Sequence, residues 1–148
     1  MTPEQHRLIK WSFAEIYFSR DESAKIFYDR LFAIAPDTRS LFSGDMEVQG
    51  KKLMDTLSLA ITTLNSPDRI AVFLEDTARR HKGYGATPEH YNFVGAALLW
   101  MLEKQLGVGF TPDLKSAWTE LYQHISNTMQ EIQGGSTPPT GVPGSQLE

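Results

Sequence analysis

Apolar side chains recur at helical spacing along most of this chain. The clearest stripe is formed by Ala24, Phe27, Tyr28 and Leu31, which would share one face of a helix. No stretch shows the alternation of β-branched and polar residues that is typical of a strand. The pattern therefore predicts an all-α fold, with about six long helices joined by short connections.

Helix starts are marked by four triplets of threonine or serine, proline and an acidic residue, which begin at residues 2, 66, 87 and 111. This order places a capping hydroxyl before a proline in the first helical turn. Gln5 completes a capping box in the first helix, which we expect to run to about Ser19. The apolar residues of the first helix, Trp11 among them, fall mainly on helical spacing, and Val48 belongs to a similar pattern in the helix from Met46. In the last helix we expect six residues to face inward: Leu114, Trp118, Leu121, Tyr122, Ile125 and Met129.

The second helix lacks such a triplet, and either Asp21 or Ser23 is expected to cap it. Pro36 should end it, and a short helical turn should follow. The next helix is predicted from Met46 to Asn65.

Composition narrows the class of protein. The 148 residues suffice for one domain with a sizeable core, and no cysteine is present for disulfides or thiolate metal sites. The 14 basic and 18 acidic side chains give a net charge of −4, which does not favour nucleic acid or an anionic membrane as a partner. The longest apolar run, residues 94–102, is about half of a membrane span. Because the N-terminus is polar, we expect no signal peptide and a cytoplasmic protein.

The last 15 residues differ from the rest. Residues 134–148 are rich in glycine, proline and serine. Such a segment cannot bury enough apolar surface to order itself. We therefore expect one domain over residues 1–133, followed by a flexible tail.

His81 is the candidate for metal chemistry. It follows Ala78 by three residues and Leu74 by seven, so the three residues share a helix face. Gly83 and Gly85 then predict a corner between two helices. A histidine in this setting is either a core residue bonded to a backbone carbonyl or the axial ligand of a haem.

Several short motifs occur together in a particular order. They are Phe27-Tyr28-Asp29-Arg30-Leu31-Phe32, Leu41-Phe42, Gln49, Arg80-His81 and Pro88-Glu89-His90-Tyr91 with Val94-Gly95. This set closely resembles the single-domain bacterial globins that are related to the haem domain of flavohaemoglobins. The resemblance covers roughly residues 3–133. It implies the globin fold, a three-over-three helical sandwich, with haem b (iron protoporphyrin IX) as the cofactor.

The resemblance also implies roles for individual residues. His81 would be the metal ligand, and Tyr28 and Gln49 would be distal donors to a bound ligand, beside Leu53. The remaining cofactor-binding residues would be Phe42, Lys52, Leu53, Leu57, Arg80, Tyr91 and Val94. Phe42 would lie against the porphyrin, and Lys52 and Arg80 would pair with the propionates.

Each of these residues has a simpler interpretation as well. Phe42 and Tyr28 could be ordinary core residues. Gln49 could lie on the surface, and Lys52 and Arg80 could be solvated charges.

The chain departs from the flavohaemoglobin pattern on the proximal side. The family has a tyrosine ten residues after the histidine, which Tyr91 matches, and a glutamate late in the last helix. Gln133 occupies the glutamate position here, and Glu131 lies about 200° away around the helix. A neutral amide would make His81 less anionic. This departure disfavours oxygen activation and rapid NO dioxygenation, but it does not affect reversible O₂ binding.

The leading functional prediction is a globin that binds O₂, and NO or other small ligands, at a five-coordinate haem iron. One alternative is an NO dioxygenase, for which a separate reductase would have to supply electrons. A haem-based gas sensor is the second alternative, and a metal-free helical bundle is the third.

Overall fold

Six α-helices and two short 3-10 helices form the secondary structure of the residues that the structure, a computed structural model, describes. These are residues 1–83 and 87–132, without the side chains of residues 67 and 81–83. The α-helices are α1 (Pro3–Tyr17), α2 (Arg20–Ile34), α3 (Met46–Thr62), α4 (Pro67–Gly83), α5 (Pro88–Leu106) and α6 (Pro112–Gln130). The 3-10 helices are Pro36–Leu41 and Gly107–Gly109. The predicted all-α fold is confirmed, whereas Gly85, Gln133 and residues 134–148 lie outside the described residues.

Most predicted helix starts are confirmed. Thr2 and Gln5 form the expected capping box, with the backbone N–H of Gln5 donating to the Thr2 hydroxyl at 3.1 Å. The Thr87 and Thr111 hydroxyls likewise accept from backbone N–H groups at the starts of α5 and α6. Asp45 accepts from the backbone at the start of α3.

The predicted cap of α2 was wrong. The helix begins after Ser19, so both predicted caps lie inside it. Ser23 is fully buried, and its hydroxyl donates to the carbonyl oxygen of Ile16 at 3.2 Å. This serine therefore joins the end of α1 to α2 and does not start a helix. The helix from Met46 also ends earlier than predicted, since residues 63–65 form a turn.

Two residues of the apolar helical patterns are exposed. Trp11 is 49% exposed and Val48 is 50% exposed. The buried stripe of α1 runs through Ile9 and Phe13. Trp11 is two residues from each of them, which places it about 200° around the helix and away from the core. Val48 precedes the buried Gly50 of α3 by two residues, so it also points away from the core.

The buried apolar residues form two separate clusters. The larger cluster draws on α1, α2, α3, α5 and α6, and it includes the fully buried Trp118, whose indole N–H donates to Ser12 at 2.8 Å. The smaller cluster joins α4 to α5 and α6 through Leu74, Ala78, Tyr91 and Met129. Helix α3 packs on α2 and α1, whereas α4 packs mainly on α6. Two helices that follow each other in the chain therefore belong to different parts of the core.

No helix within the described residues combines the length and the hydropathy that crossing a membrane requires.

Candidate functional site

Tyr28 and Gln49 form a hydrogen-bonded pair between α2 and α3. Tyr28 lies on the buried face of α2 and is 7% exposed. The side-chain amide of Gln49 donates to the phenolic oxygen of Tyr28 at 3.3 Å. Because this oxygen accepts from Gln49, the phenolic O–H can donate to a different acceptor.

The environment of Tyr28 keeps its phenol protonated. Burial raises the pKa of Tyr28 to about 12, and the hydrogen bond from Gln49 opposes this rise in part. A buried anion is costly to form without a strong partner, so the neutral phenol is the stable form near neutral pH. Tyr28 is therefore a hydrogen-bond donor under ordinary conditions.

Close packing of α3 on α2 brings Gln49 within reach of Tyr28. A Cβ atom added to Gly50 would lie 2.9 Å from the Cβ of Ala24, so only glycine fits here without movement. Gly50 and Met54 are buried on this side of α3. The neighbouring side of the helix carries Gln49, Leu53 and Leu57, which are all partly buried.

An aromatic cluster surrounds the Tyr28 ring. The centroid of Phe42 is 5.3 Å from that of Tyr28, in an edge-to-face arrangement. The ring of Phe32 lies 5.8 Å from each of the other two. Arg39 donates to the backbone carbonyl of Phe42 at 2.9 Å and thereby fixes the segment that follows the first 3-10 helix. Phe32 was not among the predicted site residues, although its position four residues after Tyr28 on α2 could have identified it.

The buried face of α4 agrees with the predicted stripe. Leu74 and Ala78 are fully buried, and Thr77 beside them is buried too. Residue 81 is next on this face by helical spacing, but the His81 side chain lies outside the described residues.

The predicted propionate partners lie on the surface. Arg80 is exposed and pairs with Asp76, with 3.3 Å between nitrogen and oxygen. Lys52 is exposed on α3. Both side chains are therefore accessible to a carboxylate of a bound ligand, such as a propionate.

Tyr91, in the first turn of α5, is buried in the cluster that joins this helix to α4 and α6. It is 6% exposed and belongs to the smaller cluster with Leu74 and Ala78 of α4. The Tyr122 hydroxyl of α6 donates to the backbone carbonyl of Tyr91 at 2.6 Å. Burial, with a smaller contribution from Tyr91, raises the pKa of Tyr122, so its hydroxyl keeps its proton. Sequence analysis predicted that Tyr122 faces inward but did not include it in the site.

Glu131 does not occupy the position that the family glutamate would need. It is exposed at the end of α6. The predicted substitute, Gln133, lies outside the described residues.

These residues fit a flat apolar cofactor. Four of the predicted residues are partly buried and border the larger cluster: Phe42, Leu53, Leu57 and Val94. The buried residues of α4 belong to the smaller cluster. A macrocycle between α3 and α4 would cover these apolar side chains and remove them from water. The Tyr28 and Gln49 donors are next to this apolar surface. This donor set suits haem, which needs one axial histidine and a mostly apolar pocket.

Comparisons with known proteins agree with this fit. A family model described as Globin matches residues 25–129. A flavohemoprotein of Rhizobium meliloti (strain 1021) is 27% identical over 111 residues, which are 72% of this chain and 27% of the relative. A flavohemoprotein of Deinococcus radiodurans is 26% identical over 141 residues, which are 91% of this chain and 34% of the relative. The chain therefore spans about a third or less of these two relatives.

Two further comparisons cover nearly the whole of the matched protein. A neuroglobin of Tetraodon nigroviridis is 24% identical over 143 residues, which are 87% of this chain and 90% of the relative. The crystal structure of a hexacoordinated heme protein from an anhydrobiotic tardigrade at pH 4 superposes with a TM-score of 0.81. That match covers 89% of this chain and 94% of the other, at 15% identity, and it concerns the fold alone.

Proposed function

This chain belongs to the globin family, with haem as its cofactor, and we propose that it binds O₂ reversibly with His81 as the axial ligand. When bound, haem supplies an iron at which a diatomic gas attaches and gains negative charge. In this proposal Tyr28 and Gln49 stabilise that charge by donating hydrogen bonds. NO and other small ligands would use the same site.

The Gln49–Tyr28 hydrogen bond is the observation that carries the proposal. Because the phenolic oxygen accepts from Gln49, its own proton is left for another acceptor, and burial keeps that proton in place. A hydrogen bond to a charged acceptor is worth about 1.5–3 kcal/mol. At about 1.4 kcal/mol per decade, this corresponds to one or two decades in affinity.

The other residues of the proposed site would hold and orient the cofactor. Phe42 and Val94 offer apolar surface to the macrocycle, and Leu53 and Leu57 would close its distal side. The exposed Lys52 and Arg80 are suited to the propionates, for which Arg80 would have to loosen its pair with Asp76. We propose His81 as the axial ligand because it continues the buried stripe of Leu74 and Ala78.

Visible spectroscopy and gas titration test this proposal. We expect the purified protein, reconstituted with haem and reduced to the ferrous form, to show a Soret band that shifts reversibly when O₂ is added and removed. No Soret band after reconstitution would refute haem binding. A Soret band that does not respond to O₂ would refute the O₂ assignment.

NO dioxygenation is the second candidate, because the relatives include flavohemoproteins and the same distal donors would serve it. In that reaction O₂, NO and one electron give nitrate. We propose that a separate reductase would supply the electron. NO consumption that exceeds one turnover only when a reductant is present would support this activity, whereas consumption limited to one turnover with a reductant present would exclude it.

A further inference from the structure

Two large aromatic side chains lie on the solvent side of α1. Trp11 is 49% exposed, and Phe18, the C-cap of the helix, is 85% exposed. Phe18 keeps helical backbone angles and follows Trp11 by seven residues, so the two side chains point in nearly the same direction. The opposite side of α1 is buried through Ile9 and Phe13. Helix α1 therefore presents apolar surface both to the core and to solvent.

The Trp11 ring is supported on one side by the turn that precedes α6. A Cβ atom added to Gly109 would lie 3.6 Å from Cη2 of Trp11, so the indole lies beside this glycine. Val108, the preceding residue, is fully exposed and extends the apolar surface past the ring. An aromatic ring that is supported in this way loses little conformational freedom when a partner covers it, which favours its use as an anchor.

A small residue and a cation accompany the two rings on this side of the helix. Four exposed residues recur at alternating intervals of four and three, which is the spacing of one seam of a coiled coil: Arg7, Trp11, Ala14 and Phe18. The methyl side chain of Ala14 leaves a gap between the rings, and Arg7 places a guanidinium at the other end. We call these four residues the α1 stripe.

The α1 stripe is complementary to a second copy of itself in antiparallel orientation. If Trp11 of one protomer fills the gap over Ala14 of its partner, a two-fold axis makes the reverse contact identical. The same register places Phe18 opposite Arg7. A large ring over a small residue gives close packing, and a guanidinium over an aromatic face is attractive. Arg7 pairs with Glu4 in its own helix, but the flat face of the guanidinium can still stack on a ring.

From this geometry we propose that the protein forms a two-fold symmetric dimer in which the α1 stripes of two protomers pack in antiparallel orientation. Each of the two kinds of contact is made twice. A different partner would have to match a ring, a gap and a charge at one helical spacing, whereas a second copy does so by symmetry. The inference does not rest on the proposed function, because no residue of the α1 stripe belongs to the proposed haem site.

Sedimentation velocity of the full-length, haem-reconstituted chain over a range of concentrations tests the dimer. We expect the wild type to change from monomer to dimer as the concentration rises. Tryptophan at the centre of an interface is a common hot spot, so Trp11→Gln should raise the dimer dissociation constant by at least about 30-fold. Leu59→Gln on α3 is the matched control, since Leu59 is 48% exposed, and it should leave the constant unchanged.

Ala14→Glu tests the gap without removing apolar surface. The added side chain would occupy the space that Trp11 of the partner needs, so we expect the dimer to be lost although both rings remain. Ala96→Glu, the same replacement at an exposed alanine of α5, is the matched control and should leave the dimer intact. Phe18→Gln is a second ring deletion, and its effect on the dimer can be measured even if Trp11→Gln destabilises the monomer, because Phe18 is so exposed.

Cross-linking tests the antiparallel register, since the chain has no cysteine of its own. Arg7→Cys and Phe18→Cys are prepared separately and then mixed in the presence of a short bis-maleimide. Because position 7 lies opposite position 18 of the partner in the proposed register, we expect the mixture to give a covalent dimer and each variant alone to give much less.

Three results would overturn the inference, whatever the haem binding of the protein. The first is a wild type that remains monomeric over the whole concentration range. The second is a dimer that Trp11→Gln and Ala14→Glu leave as stable as the wild type, since its interface would then lie elsewhere. The third is equal cross-linking of one variant alone and of the mixture, which contradicts the antiparallel register.

Discussion

The replacement Tyr28→Phe tests the distal site with little change in packing. The ring lies edge-to-face with Phe27, at 4.8 Å between centroids, and with Phe42 at 5.3 Å. A phenylalanine can keep both contacts because it differs only by the hydroxyl. The variant therefore removes the proposed donor and the acceptor of the Gln49 amide, and it leaves the aromatic cluster in place.

The expected size of the effect follows from these contacts. A hydrogen bond to a charged acceptor is worth about 1.5–3 kcal/mol, or roughly 10- to 150-fold in rate if the whole loss appears in dissociation. The Gln49 N–H that donates to Tyr28 in the wild type loses its acceptor, so the amide can offer a second hydrogen bond to the ligand and recover part of this energy. We therefore expect the O₂ dissociation rate to rise by about tenfold, near the lower limit.

Stopped-flow mixing of the oxygenated protein with excess CO measures this rate directly. Tyr17→Phe serves as the control for loss of a hydroxyl elsewhere. The double variant with Gln49→Leu should release O₂ faster than either single variant, and the departure from additivity measures the coupling of the pair. An O₂ dissociation rate that is the same in wild type and Tyr28→Phe would refute the distal assignment.

Four other predictions concern the axial ligand, the phenol, the contact of α3 with α2 and the tail. His81→Ala should abolish stable haem retention after gel filtration, and a normal Soret band would contradict the axial role. Burial raises the pKa of Tyr28 to about 12 from an ordinary value of 10. The stability that the protonated phenol contributes to the folded state is therefore fully present below pH 10 and is lost as the pH rises to 12. The O₂ dissociation rate should accordingly be flat up to pH 10, and a titration of that rate below pH 10 would exclude the buried phenol as the donor. Gly50→Ala should push α3 away from α2, lower the melting temperature and speed O₂ release, whereas Gly109→Ala should do neither; equal behaviour of the two variants would contradict the close-contact argument. Deletion of residues 134–148 should leave melting temperature and O₂ affinity unchanged if they are the flexible tail that their composition predicts, and a large drop in either would place them in the domain.

Helix starts could be predicted from sequence wherever the signal was local. The Thr2 capping box involves only atoms within three residues of one another, so the sequence contains all that determines it. The role of Ser23 in α2 depends instead on contacts with other helices. Ser23 resembles a cap in sequence, but its hydroxyl is bonded to the carbonyl of Ile16 and accepts from Gln105, which lies 82 residues away.

The same distinction applies to the contacts of the candidate site. Resemblance to a known motif was enough to select Tyr28 and Gln49 together, and in the structure the Gln49 side-chain nitrogen lies 3.3 Å from the phenolic oxygen of Tyr28. Tyr122 was predicted to face inward, but its ring lies against Gly95 in another helix, a contact that was not predicted. A glycine within a helical pattern does not reveal which ring it accommodates, so a single sequence could not pair these two residues.

The division of the core explains why haem binding and folding should be linked in this chain. Helix α4 packs mainly on α6, and its buried residues Leu74 and Ala78 belong to the smaller cluster. Within the described residues, α4 contributes only a few side chains to the core, and packing usually supplies most of the stability of a helix. A cofactor that binds the folded state contributes in proportion to the logarithm of its concentration over its dissociation constant. The bond from His81 would join α4 to the larger cluster through the macrocycle, so this helix would gain more from haem than the helices that already pack in that cluster.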